Sequence, residues 1–81
     1  MKITEVNTYS VKGRHWPRFP MVFVEVCTDE GVSGVGESLL YKSNGVVEAV
    51  YAMEDLLVGE DPFEVERLWE KMYRLGNPFP L

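Results

Sequence analysis

The eight residues from Met21 to Thr28 (MVFVEVCT) constrain the fold more than any other stretch. They are rich in β-branched and apolar side chains and contain neither glycine nor proline, which specifies a strand. Val22, Val24 and Val26 fall on one face, and Met21, Phe23, Glu25 and Cys27 on the other. Asp29-Glu30-Gly31 follows as a tight turn in which Gly31 is free to take positive φ. Val32 to Leu39 (VSGVGESL) then pairs back as another strand. Upstream, Lys2 to Lys12 (KITEVNTYSVK) reads as a first strand with imperfect alternation: Glu5, Asn7, Tyr9 and Val11 share one face and Val6 takes the other, which implies a bulge near Val6. Gly13 to Pro20 (GRHWPRFP) is a loop, since Gly13, Pro17 and Pro20 punctuate it. Three strands joined in sequence make an antiparallel meander. Gly34 and Gly36 share one face of its last strand, where a bare backbone invites close approach by another element.

After Tyr41 the periodicity changes from two to 3.6. Ser43 or Asn44 can cap a first helix whose apolar stripe is Val46, Val50, Met53 and Leu57, widened by Val47 and Leu56, with Gly59 as its stop. Asp61-Pro62-Phe63-Glu64 reads as the next helix start, with Asp61 as cap and Pro62 in the first helical position. Val65, Leu68, Trp69 and Met72 are its expected buried stripe, Glu70 and Arg74 an i,i+4 pair, and Gly76 with Pro78 its end. The fold class is therefore α+β: a three-stranded antiparallel meander followed by two packed helices. If those helices cover only the valine face of the sheet, Met21 and Phe23 stay wet, so something beyond these elements is expected to cover the remaining surface.

The chain has 81 residues, a net charge of −5 and 46% hydrophobic side chains. That length suits one small domain, with room for one thin core and little room for an enclosed catalytic cavity. The acidic balance argues against nucleic acid and against an anionic membrane surface. No apolar run approaches the ~18–20 residues of a membrane span, and the N-terminus lacks the apolar core of a signal peptide. Cys27 is the sole cysteine, so neither an intrachain disulfide nor a cysteine metal cluster can form, and a cytoplasmic setting is expected.

Few side chains suit catalysis. His15 is the single histidine. It sits in a loop where Arg14, His15, Trp16, Arg18 and Phe19 combine cations with aromatics, a mixture that recognises anionic, hydroxylated ligands through charge-assisted bonds and stacking. The same residues equally suit an ordinary surface loop in which Trp16 packs locally. Gly34-Val35-Gly36-Glu37 is not a dinucleotide fingerprint, because Leu39 stands where the third glycine belongs. Glu37 closes a strand beside a loop, as a structural charge or as an acid, base or orienting carboxylate. Glu54, Asp55, Glu60, Asp61, Glu64 and Glu66 read as solvated faces and helix-start charges, not as a metal cluster. No nucleophile has a base partner legible in the sequence.

Several pieces recur in a familiar order: Lys2-Ile3-Thr4, then Thr28-Asp29-Glu30-Gly31-Val32 running into Gly34-Val35-Gly36-Glu37, then Val58-Gly59-Glu60-Asp61-Pro62, Leu68-Trp69 and Met72-Tyr73-Arg74. Together they resemble the N-terminal capping domain of the enolase superfamily, in its mandelate racemase/muconate lactonizing group. The Arg14-x-Trp16 loop followed by TDEGVSGVGE looks most like the sugar-acid dehydratases of galactonate type. The resemblance runs from Lys2 to about Gly76, so residues 1–81 are read as one capping domain. It implies that catalysis belongs to a separate (β/α)₈ barrel, supplied in cis or in trans, whose carboxylates bind Mg²⁺ and whose lysines or histidines move the proton. On that analogy Arg14, His15, Trp16, Phe19 and Tyr41 face a sugar-acid substrate, while no catalytic or metal-ligating residue belongs to this chain, which should not catalyse by itself. A homo-oligomer is expected. Racemisation or cycloisomerisation by the same superfamily is the alternative reaction. A stand-alone interaction module that dimerises through its sheet is the alternative of a different class.

Overall fold

The computed structural model describes residues 1–11, 21–38 and 43–76. Three strands, β1 (Ile3–Val11), β2 (Met21–Thr28) and β3 (Ser33–Ser38), form an antiparallel sheet in the order β1-β2-β3, and two helices follow, α1 (Ser43–Leu57) and α2 (Val65–Gly76). This is the α+β meander with two helices that the residue pattern specifies. None of the described helices is long and apolar enough to cross a membrane.

The core lies between the valine face of the sheet and the helices. Val6 and Val22 are all but inaccessible, and Ile3, Leu57 and Leu68 are buried beside Val24, Val26, Val50 and Met72. Ile3 and Val6 are three residues apart yet both point inward. The register explains this: Ile3 pairs with Thr28 and Glu5 with Cys27, so the ladder slips one residue between Ile3 and Glu5. The expected bulge is real, and it lies ahead of Val6; it turns Ile3 onto the core face. Gly31 takes a φ of +77° in the β2–β3 turn, as its sequence context requires.

α1 lies across β1 and β2, and α2 packs against α1. Between the helices, Gly59 takes a φ of +88° and donates its amide to Ile3 O at 2.8 Å, while the Ile3 amide donates to Glu60 O at 2.9 Å. The interhelix link thus pairs with the start of β1. α2 begins at Val65, three residues after the expected start at Pro62. Asp61 is engaged in a turn of its own: its Oδ1 accepts the Phe63 amide at 2.9 Å and its carbonyl accepts the Glu64 amide at 3.2 Å. The first α-helical bond runs from the Leu68 amide to Glu64 O at 3.0 Å, so Glu64 takes the cap position.

The buried stripe expected of α2 also needs correction. Leu68 is buried and Met72 half-buried, but Val65 is 66% and Trp69 61% exposed. All four residues line an open apolar cleft of about 460 Å³ whose other wall includes Val26, Val32 and Gly34, but they differ in depth: Leu68 and Met72 sit at its floor against the core cluster, while Val65 and Trp69 stand at its open side. Gly34 and Gly36 point their missing side chains to this same side, and among the described residues no atom beyond their chain neighbours lies within 4 Å of where a Cβ would stand. The close approach expected there is not made by any described element. On the opposite face Met21 is 39% exposed and Phe23 half-buried.

Candidate functional site

The two ends of the sheet differ in kind. At one end the chain is tied down. The Met1 ammonium meets Glu30 Oε2 at 2.9 Å, the Lys2 amide donates to Asp29 Oδ1 at 2.9 Å, and the Asp29 amide returns a bond to Lys2 O at 3.0 Å. Thr28 seals the turn, its hydroxyl and amide both donating to Val32 O. The link between the helices joins β1 at this end too.

The other end is where the connections between elements depart. Val11 pairs with Met21, and Ser10 and Ser38 flank Val22 in one row of the sheet. Segment 12–20 therefore leaves β1 and enters β2 at the rim from which segment 39–42 leaves β3 for α1. Arg14, His15, Trp16, Phe19 and Tyr41, the candidate substrate-facing residues, lie outside the described residues. What the sheet settles is that the segments carrying all five spring from adjacent strands at one rim. Glu37 stands on β3 next to that rim, exposed, opposite Phe23.

Among the described residues, titratable groups gather on the outer face of the sheet. Tyr9 Oη donates to Glu25 Oε1 at 2.9 Å, and Asn7 Nδ2 donates to the same oxygen at 3.4 Å and reaches Cys27 Sγ at 3.8 Å. The Tyr9 and Asn7 bonds hold the Glu25 carboxyl below its usual range. The same carboxylate raises the Tyr9 hydroxyl, and desolvation followed by the Glu25 charge raises the Cys27 thiol. Cys27 is thereby kept as a thiol, the unreactive form. This cluster of four is not legible in the sequence because its members come from two strands, and only the register puts Asn7 opposite Glu25.

Part of the acidic run, expected to be solvated, makes structural contacts instead. Glu54 Oε2 accepts the Val6 amide at 2.9 Å. Arg67 bridges Glu60 and Glu64, Lys71 lies 3.9 Å from Glu60, and Arg74 pairs with Glu70 at 2.7 Å. Among the described residues no three His, Cys, Asp or Glu side chains gather in a way that could hold a metal ion.

Comparison with known proteins agrees with this architecture. The profile of the mandelate racemase/muconate lactonizing enzyme N-terminal domain matches residues 5–79. The D-galactonate dehydratase of Ralstonia pickettii is 43% identical over 77 residues, which are 94% of this chain and 19% of that protein. A solved structure from Bordetella bronchiseptica, provisionally named a mandelate racemase, is 35% identical with a TM-score of 0.81, covering 91% of this chain and 22% of that one. A provisionally named dehydratase from Salmonella enterica superposes with a TM-score of 0.82 at 29% identity, covering 93% of this chain and 20% of that one. The chain thus spans about a fifth of the length of these relatives. Its strands, its turn glycines and its matched residues make it a member of the mandelate racemase/muconate lactonizing enzyme family of the enolase superfamily, in that family's N-terminal domain.

Proposed function

We propose that this chain is the substrate-selecting cap of a sugar-acid dehydratase, with catalysis carried by a barrel domain outside residues 1–81. One placement supports the reading above all: the segments bearing Arg14, His15, Trp16, Phe19 and Tyr41 depart from a single rim of a sheet that is pinned at its opposite end. A rigid base with recognition groups on one rim suits a part that shapes a pocket without performing the chemistry in it. Arg14 would meet a carboxylate through a bidentate pair, and Trp16 and Phe19 would stack on the carbon-bound face of a sugar. The magnesium that the family resemblance implies belongs, on that analogy, to the barrel domain. A racemase or cycloisomerase cap would use the same rim; identity to a D-galactonate dehydratase favours dehydration.

The test is an exchange. Residues 5–79 replace the corresponding segment of the Ralstonia pickettii enzyme, and turnover is followed across a panel of aldonates. The chimera should dehydrate at least one of them. Arg14→Ala and Trp16→Ala should each raise KM about tenfold or more with a smaller effect on kcat, the signature of lost binding that does not change during reaction. Turnover by the isolated 81-residue chain, or loop variants that leave substrate choice untouched, would overturn the reading.

A further inference from the structure

Most carboxylates of the described residues are engaged. Glu25 takes bonds from Tyr9 and Asn7, Glu54 holds the Val6 amide, Asp29 and Glu30 fasten the start of the chain, Asp61 accepts the Phe63 amide, and Glu60, Glu64 and Glu70 meet arginines. Glu37 is exposed, and among the described residues it forms no hydrogen bond or ion pair. Of the carboxylates left unengaged, it alone stands at the rim end of a strand. A charge that merely closed a strand would be expected to have a partner there; an orienting carboxylate would wait for one.

β3 fixes where Glu37 stands. It pairs with Phe23, and its neighbour Ser38 pairs with Val22, so the ladder holds the strand up to the residue from which segment 39–42 departs. A group carried on a strand is placed more precisely than one on a loop. Charge points to what it meets. Segments 12–20 and 39–42 contain Lys12, Arg14, Arg18 and Lys42, half of the chain's eight lysines and arginines, and none of its thirteen carboxylates. Segments of that composition offer cations to a substrate's acid group but no charged acceptor to its hydroxyls. Glu37 is the charged acceptor that the sheet adds at the same rim. Hydrogen bonds to an ionised acceptor are roughly twice as strong as neutral ones.

We propose that Glu37 is a specificity-determining residue of the cap: its carboxylate accepts a hydroxyl of the sugar acid and repels a second acid group, so that the parent enzyme takes aldonates, with one carboxylate, in preference to aldarates, with two. This role rests on the cap reading and gives it a discriminating element. Attraction to a hydroxyl favours the aldonate, and like-charge repulsion at the same atom works against the diacid.

The chimera that carries residues 5–79 tests this. Its kcat and KM are measured for an aldonate that it dehydrates and for the aldarate of the same configuration, the latter as a substrate or as a competitive inhibitor. Glu37→Gln should raise the aldonate KM several-fold with a smaller change in kcat, and should move the aldonate-to-aldarate preference about tenfold or more toward the diacid, with the thermal melt unmoved. Glu37→Asp keeps the charge and should keep the diacid excluded. A structural role would lower turnover of both acids alike and leave their ratio as it was, which would overturn the assignment. The assignment also falls, with the cap reading left standing, if Arg14→Ala or Trp16→Ala alters substrate choice and Glu37→Gln does not. If none of the three alters it, both fall together. Where the larger exchange does not fold, exchange of residues 33–38 alone carries the same Glu37 comparison.

Discussion

The Val6 amide donates to Glu54 Oε2 at 2.9 Å, a bond that spans 48 positions of sequence and ties the edge of β1 to α1. It satisfies a backbone donor on the strand edge beside a fully buried side chain, where an unpaired amide costs about 1–3 kcal/mol. Glu54→Ala should therefore lower stability by about 1–2 kcal/mol, and Glu54→Gln, which keeps an acceptor oxygen, should recover most of it. Urea unfolding followed by circular dichroism measures both.

Gly59 carries a different burden. Its φ of +88° is one that a side chain resists, although among the described residues no atom beyond its chain neighbours stands within 4 Å of where a Cβ would lie. Gly59→Ala should destabilise by about 1 kcal/mol through backbone strain alone. Gly36→Ala, in space left open by the described residues and at an ordinary strand φ, should be neutral or slightly stabilising. A thermal melt of the two variants at low concentration separates conformational need from simple lack of room.

That contrast shows where the fold was legible from residues alone. Gly31 could be placed because Asp29-Glu30-Gly31 sits between two apolar runs, and turn chemistry is local. The valine face of β2 could be placed because strand alternation is local as well. The start of α2 could not: Asp61 and Pro62 carry the usual marks of a helix start, yet Asp61 spends its side chain on the Phe63 amide and moves the cap to Glu64. The candidate site is legible in a weaker sense. Arg14, His15, Trp16, Phe19 and Tyr41 suggest recognition by their chemistry, but that two separate segments share one rim follows only from strand register, which is a long-range property.

The outer-face cluster gives a pH prediction. Glu25 is held below its usual range first by the Tyr9 hydroxyl and then by Asn7. A carboxyl depressed in the folded state contributes stability that is present above its unfolded pKa and is lost as pH falls through the folded one. Tyr9→Phe removes the larger cause, so the Glu25 titration followed by NMR should move upward, and the acid limb of stability should begin at a higher pH. On the alkaline side the sign is opposite. Tyr9 is raised by the same carboxylate, so its contribution is complete below the unfolded tyrosine pKa and is lost as pH rises through the folded one; Glu25→Gln should return the Tyr9 titration toward its ordinary position.

The two apolar rows of α2 make the last prediction. Leu68 is 5% exposed and belongs to the cluster of Ile3, Val6 and Leu57, whereas Trp69, one residue on, is 61% exposed over the open cleft. Side-chain size alone would rank Trp69 as the larger contributor, but burial decides the cost of truncation. Leu68→Ala removes buried methyl groups and leaves a void, which costs about 2–4 kcal/mol. Trp69→Ala loses its stacking on Tyr73 and part of one cleft wall, worth about 0.5–1.5 kcal/mol. Both are measured by urea unfolding at low protein concentration. A Trp69→Ala deficit that exceeds that of Leu68→Ala at low concentration would instead mean that Val65 and Trp69, not Leu68 and Met72, form the row that holds α2 to the fold.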